Sequence, residues 1–221
     1  MVGRKNQSLL TYLISLFGGF LLYLSWHPFG ITILIFIAFV PFLYLDNKGR
    51  PSSFAIFTYS LPGFFLFHVF AGWWMYSSTI AGSLLAHLFN AVYMALVMFL
   101  WSFGNKYLKK SIWSLVLLVV FWTSFEFLHH HWELAWPWFT LGHVFAEKPH
   151  WVQWYSITGS FGGTIWILFV NWLIYKSITS FWYKDFKQGL IIITIAVLSI
   201  ALPLLFSFQM NKTPQTETAS T

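Results

Sequence analysis

Long stretches of this chain carry no charge at all, and that one feature decides what it can fold into. No Asp, Glu, Lys or Arg occurs between residues 6 and 45, or between residues 51 and 105. A bilayer core about 30 Å thick takes roughly 20 apolar residues per helix, with about 17 tolerated. Hydropathy marks seven such runs, at residues 9–26, 31–45, 54–76, 80–103, 112–128, 161–178 and 190–208. The second is short and bounded by Pro28 and Asp46, which suits a tilted segment or a hairpin partner of the first. Pro62 and Gly63 fall inside the third and predict a kink that neighbouring helices must accommodate. The expected fold is all-α, a polytopic membrane bundle of about seven transmembrane helices.

Composition closes the alternatives. Charged residues are 8% of the 221, hydrophobic ones 58%, and mean hydropathy is +0.68. Six acids and twelve bases cannot cover a soluble core of this size. The net charge of +6 is dispersed and gives no nucleic-acid-binding face. It carries topology information instead. Arg4, Lys5, Lys48, Arg50, Lys106, Lys109, Lys110, Lys176, Lys184 and Lys187 fall on one side, leaving Lys148 and Lys212 on the other. By the positive-inside rule the N-terminus is cytoplasmic and the C-terminus outside. The first run lacks a small-residue cleavage site and reads as a retained signal anchor. Residues 1–208 form the helical domain, and 209–221 a polar tail read as disordered or as a linker.

One connection stands apart. Residues 129–160 form a long outer loop between the fifth and sixth runs, holding Trp132, Trp136, Trp138, Trp151, Trp154 and Tyr155 and broken by Pro137, Gly142 and Pro149. Such rings favour the headgroup level, so the loop is expected to lie in the outer interface. Glu126 and His130, four apart, share a helical face at its start. An ionisable group near membrane depth is a functional candidate. Successive side chains in a helix point about 100° apart, so His129, His130 and His131 cannot converge on one metal ion. Nothing in the sequence calls for a metal or other cofactor. Asn90 and Asn171 are expected to make interhelical hydrogen bonds, and His68 and His87 to be hydrogen-bonded inside the bundle. The chain has no cysteine, hence no disulfide and no thiol nucleophile.

Trp136-Pro-Trp-Phe-Thr-Leu-Gly-His143, continuing to Trp151-Val-Gln-Trp-Tyr-Ser-Ile-Thr-Gly-Ser-Phe-Gly-Gly-Thr-Ile-Trp166, resembles the membrane domain of bacterial apolipoprotein N-acyltransferases. Ser124-Phe-Glu126 before the loop, Ser25-Trp-His-Pro-Phe-Gly30 and Gly72-Trp-Trp-Met-Tyr76 are similar to further parts of that family. The resemblance implies a multi-pass protein of the bacterial cytoplasmic (inner) membrane. It also implies acyl transfer from a phospholipid to the N-terminal diacylglyceryl-cysteine of a lipoprotein, through a cysteine thioester with a glutamate base and an oxyanion-stabilising lysine.

Those three groups belong to a nitrilase-like domain outside the membrane after the seventh helix, with an eighth helix beyond it. This chain stops near that point and has no cysteine, so no catalytic residue carries over. What carries over is a rim that binds and positions lipid substrates: Glu126, Trp136, Pro137, Trp138, Gly142, His143, Trp151 and Trp154. The partners implied are a phospholipid acyl donor, a diacylglyceryl lipoprotein and a separate nitrilase-like domain. The competing readings are a non-enzymatic lipid- or lipoprotein-binding membrane protein and a small transporter.

Overall fold

The computed structural model describes residues 2–47, 51–108, 111–133 and 136–212. Of the polar tail, residues 209–212 belong to the last helix instead of a disordered linker, and 213–221, like Lys48, Arg50, Lys109 and Lys110, lie outside the described residues. Eight α-helices follow in order: α1 (Val2–Ser25), α2 (Ile35–Ala38), α3 (Val40–Asn47), α4 (Ser53–Ala71), α5 (Ile80–Asn105), α6 (Ser111–His131), α7 (Tyr155–Trp182) and α8 (Phe186–Lys212). Six of them are long and apolar enough to cross a membrane, and the segment Thr32–Asp46 is a shorter apolar helix. The chain is an all-α, polytopic membrane protein.

The second apolar run is broken for a local reason and held by a distant one. Pro41 has no N–H to offer the Ile37 carbonyl, so the helix is interrupted at Phe39 and restarts as α3. The freed backbone groups find the amide of Asn171 on α7. Its Oδ1 accepts the Phe39 N–H (2.9 Å), and its Nδ2 donates to the carbonyls of Ile35 (2.8 Å) and Ile167 (2.9 Å). Broken helices survive at membrane depth only when another part of the protein satisfies the exposed backbone.

Helix α4 begins with the Ser52 hydroxyl accepting the Ala55 N–H (3.1 Å) and stays continuous through Pro62. The Ser15 hydroxyl of α1 accepts the Gly63 N–H (3.1 Å) beside that proline and donates to the Ser60 carbonyl (3.3 Å). The crossing is so close that a Cβ on Gly19 would collide with the Gly63 carbonyl. The third run ends sooner than hydropathy suggests, at Ala71, and a 3₁₀ turn over Trp73–Ser77 carries the chain to α5. Aromatic rings fill the centre. Phe42 stacks on Phe64 at 4.2 Å, Phe39 meets Trp122 edge-on at 4.7 Å, and Phe36 meets Trp166 edge-on at 4.6 Å. Helix α8 packs on α7 and the Pro149–Trp151 turn, and turns Leu190, Ile191, Val197, Leu198, Leu202 and Leu205 outward.

This path brings the connections after α1, α4 and α6 together at one end of the bundle. Trp26 meets Phe139 (6.1 Å), Trp74 stacks on Trp136 (6.2 Å), and the Gln153 N–H reaches the Ser207 hydroxyl of α8 (2.7 Å). The opposite end gathers the close of α3, α5 and α7, where the Ser102 hydroxyl donates to Asp46 (2.5 Å) and Tyr44 faces Trp182 (6.0 Å). Substituting Asn171→Leu should leave the Phe39 N–H and Ile35 carbonyl bare, at roughly 1–3 kcal/mol for each group. Unfolding in mild detergent, followed by circular dichroism, reads this as a clear loss of stability; an unchanged curve would show that the amide holds nothing.

Candidate functional site

Glu126 is an acid near the end of α6 with only 3% of its surface accessible. Three donors converge on it. Trp122, one turn earlier, gives its indole N–H to Oε1 (3.1 Å), and the Leu141 backbone N–H reaches the same oxygen (2.8 Å). The Thr164 hydroxyl of α7 donates to Oε2 (2.7 Å) while accepting the Gly142 N–H (3.1 Å). The Tyr155 hydroxyl completes the chain by donating to the Gly142 carbonyl (2.9 Å). One carboxylate therefore ties α6, α7 and the long loop together.

The start of α7 makes this possible. Tyr155 and Thr164 are nine residues apart, which on an unbroken helix at 100° per residue would place them on opposite faces. Gly159 takes φ +65° and ψ −175°, a left-handed excursion that a side chain rarely adopts, and so separates the first turn from the rest. Both side chains then reach Gly142, one from each side.

Above this network the same end of the bundle holds a cavity of about 460 Å³. Trp26, His27, His130, Pro137, Trp138 and His143 line it, together with Glu147. Trp138 is 57% exposed and meets Trp74 edge-on at 6.0 Å, with Trp136 edge-on at 6.4 Å. His27 pairs with Glu147 (Nδ1 to Oε1, 2.7 Å), and the Lys148 ammonium donates to the Gly30 carbonyl (2.7 Å). These two contacts hold the first turn against the long loop. A second, more open groove of about 490 Å³ is lined by Thr123, Ser124, Phe127, Leu128 and Phe161.

Six of the eight expected rim residues fall into three groups. Pro137, Trp138 and His143 line the cavity, Glu126 and Gly142 form the network beneath it, and Trp136 stacks beside Trp74. Trp151 and Trp154 do neither. Trp151 lies under the Lys148 ammonium (4.9 Å), and the buried Trp154 meets Trp166 edge-on (5.5 Å). The loop as a whole is not spread flat over an interface, because Phe139, Leu141, Val144, Phe145, Val152 and Trp154 are buried in the protein core. The three consecutive histidines go to three partners: His129 to Asn90 (2.8 Å), His130 to Thr140 (2.9 Å) and His131 to the Phe127 carbonyl (2.7 Å). Asn90 thus makes its expected interhelical bond. His68 and His87, in contrast, have no hydrogen-bond partner among the described residues. Thr164, His27 and Glu147 join the site without a local pattern that singles them out, apart from Glu147 being one of six acids in the chain.

The family model for the apolipoprotein N-acyltransferase N-terminal domain matches residues 18–173 of this chain. The apolipoprotein N-acyltransferase of Chlorobaculum tepidum is 27% identical over 205 residues, covering 90% of this chain and 37% of that protein. The chain therefore spans little more than a third of that relative's length.

Burial pushes the His143 imidazole below its ordinary value of 6.5, and its bond to the Pro137 carbonyl (3.0 Å) opposes that shift without reversing it. A depressed histidine contributes stability that is complete above 6.5 and is lost as pH falls through the lowered folded value. An NMR titration of the His143 ring should give a midpoint under 6.5, and a midpoint at or above that value would contradict the burial argument.

Proposed function

Because the chain belongs to the apolipoprotein N-acyltransferase N-terminal domain family, we propose that it is the membrane part of a phospholipid-to-lipoprotein acyl transfer system, binding and positioning the lipid substrates. The observation that carries this reading is the cavity at the loop end, walled by Trp26, Trp138 and three histidines. Apolar ring faces suit acyl chains, while imidazole and indole N–H groups suit the ester and headgroup atoms beside them. The open groove bounded by Phe127, Leu128 and Phe161 supplies an apolar surface for an acyl chain close to Glu126.

The chemistry itself belongs elsewhere. A thioester needs a cysteine, and these 221 residues contain none. A nitrilase-like domain, either following residue 221 or separately encoded, would provide it. The setting is a bacterial cytoplasmic membrane, with the N-terminus inside and the loop end outside. The basic residues support that orientation, since Lys106, Lys184 and Lys187 follow the ends of α5 and α7 at the opposite end. Residues 1–208 are the membrane domain, and 209–221 lead out of it. The lack of cysteine also favours a second reading, a lipid- or lipoprotein-binding membrane protein with no catalytic partner.

Two measurements separate these ideas. Trp138→Ala should weaken binding of a diacylglyceryl lipopeptide to the protein in nanodiscs by about tenfold, the loss of one aromatic anchor. Unchanged affinity would sink both readings. An immunoblot of the host membrane against residues 129–160 then sizes the native product. A band larger by a whole domain supports the fused enzyme. A band near 25.8 kDa with no nitrilase-like protein co-purifying leaves binding alone.

A further inference from the structure

Besides the cavity and the groove there is a third, much smaller space of about 10 Å³, lined by His68, Asn90, Glu126, His129, Trp136 and Thr140 among others. Its lining comes from α4, α5, α6 and the long loop. Three of these side chains carry buried nitrogens with no partner among the described residues: both ring nitrogens of His68, Nδ1 of His129 and the indole Nε1 of Trp136. Each would cost on the order of 1–3 kcal/mol if left bare. Three residues that carry four such atoms line the same void. We propose that this void is a binding site for one water molecule that joins His68, His129 and Trp136.

The donor and acceptor pattern fits a single water. Asn90 gives its amide N–H to the Ala86 carbonyl (2.8 Å), which turns Oδ1 toward His129 Nε2 (2.8 Å). An acceptor there places the ring proton on Nε2, so Nδ1 of the neutral ring presents a lone pair. Trp136 can only donate. The water accepts the Trp136 N–H, donates one hydrogen to His129 Nδ1, and has its second hydrogen for a nitrogen of His68. That makes three bonds, the usual number for a buried water, in a space of the size one water needs. The water then fixes Trp136 from below, while Trp74 stacks on it from the side (interplanar angle 6°). In this way a polar contact inside the bundle sets the position of the tryptophans at the cavity rim.

A density map of the full chain in lipid nanodiscs, at a resolution that shows ordered waters, decides occupancy directly. A peak within hydrogen-bond reach of Trp136 Nε1, His129 Nδ1 and a His68 nitrogen is the expected result, and an empty void overturns the site. His68→Leu and Trp136→Phe provide an independent thermodynamic test in the same nanodiscs. With a shared water, each lowers the melting temperature by roughly 2–4 °C or more and the double variant adds little further. Without the water, each removes an unsatisfied buried nitrogen, so melting temperature rises and the two effects add. That second outcome also overturns the proposal.

Discussion

A carboxyl group buried in an apolar bundle costs several kcal/mol unless hydrogen bonds replace the water it has lost. Glu126 meets that demand with donors drawn from three parts of the chain: its own helix, the loop that follows it, and α7. If any of these moves away, the buried carboxyl loses a hydrogen-bond partner; without α7, Oε2 loses the hydrogen bond that it accepts from the Thr164 hydroxyl. The network therefore does the work that a hydrophobic driving force does in a soluble protein, since lipid tails are as apolar as the side chains that face them. The position of the long loop, and with it the shape of the cavity at that end, leans on this residue together with the loop's buried side chains.

The same logic recurs at Asn171, where a single amide satisfies backbone groups freed by the break at Phe39. Both sites join elements far apart in sequence, and both use a polar atom where an apolar one would leave bare N–H or carbonyl groups. Between them, aromatic rings fill the space. The offset and edge-on contacts of Phe36, Phe39, Phe42, Phe64, Trp122 and Trp166 give a core whose rings hold one another in position.

The apolar runs were legible in the sequence because a membrane span depends on length and hydropathy, both of which are local. The broken second segment was visible as a short run, but the amide that stabilises it lies 132 residues away. Glu126 could be singled out as an acid at membrane depth; Thr164 and the Leu141 N–H could not, since neither is unusual until the fold brings it there. Tryptophan was legible at Trp138, which lines the cavity as expected, and not at Trp154, which is buried. An indole suits a lipid headgroup region and a protein interior equally well, so composition alone could not send Trp138 outward and Trp154 inward. His68 and His87 were expected to find partners within the chain because buried imidazoles usually do, yet that depends on neighbours no local pattern reveals.

The left-handed turn at Gly159 makes the opening of α7 sensitive to spacing as well as to its glycines. Ile157, in the offset turn, points outward and could be exchanged for many residues. Removing one residue between Tyr155 and Thr164 is another matter, because it would rotate one of them by about 100° relative to the other. Tyr155 and Thr164 could then no longer hold Gly142 from both sides. Among relatives that keep this network, the segment should accordingly stay constant in length, keep its glycines at 159 and 163, and vary at outward positions such as Ile157.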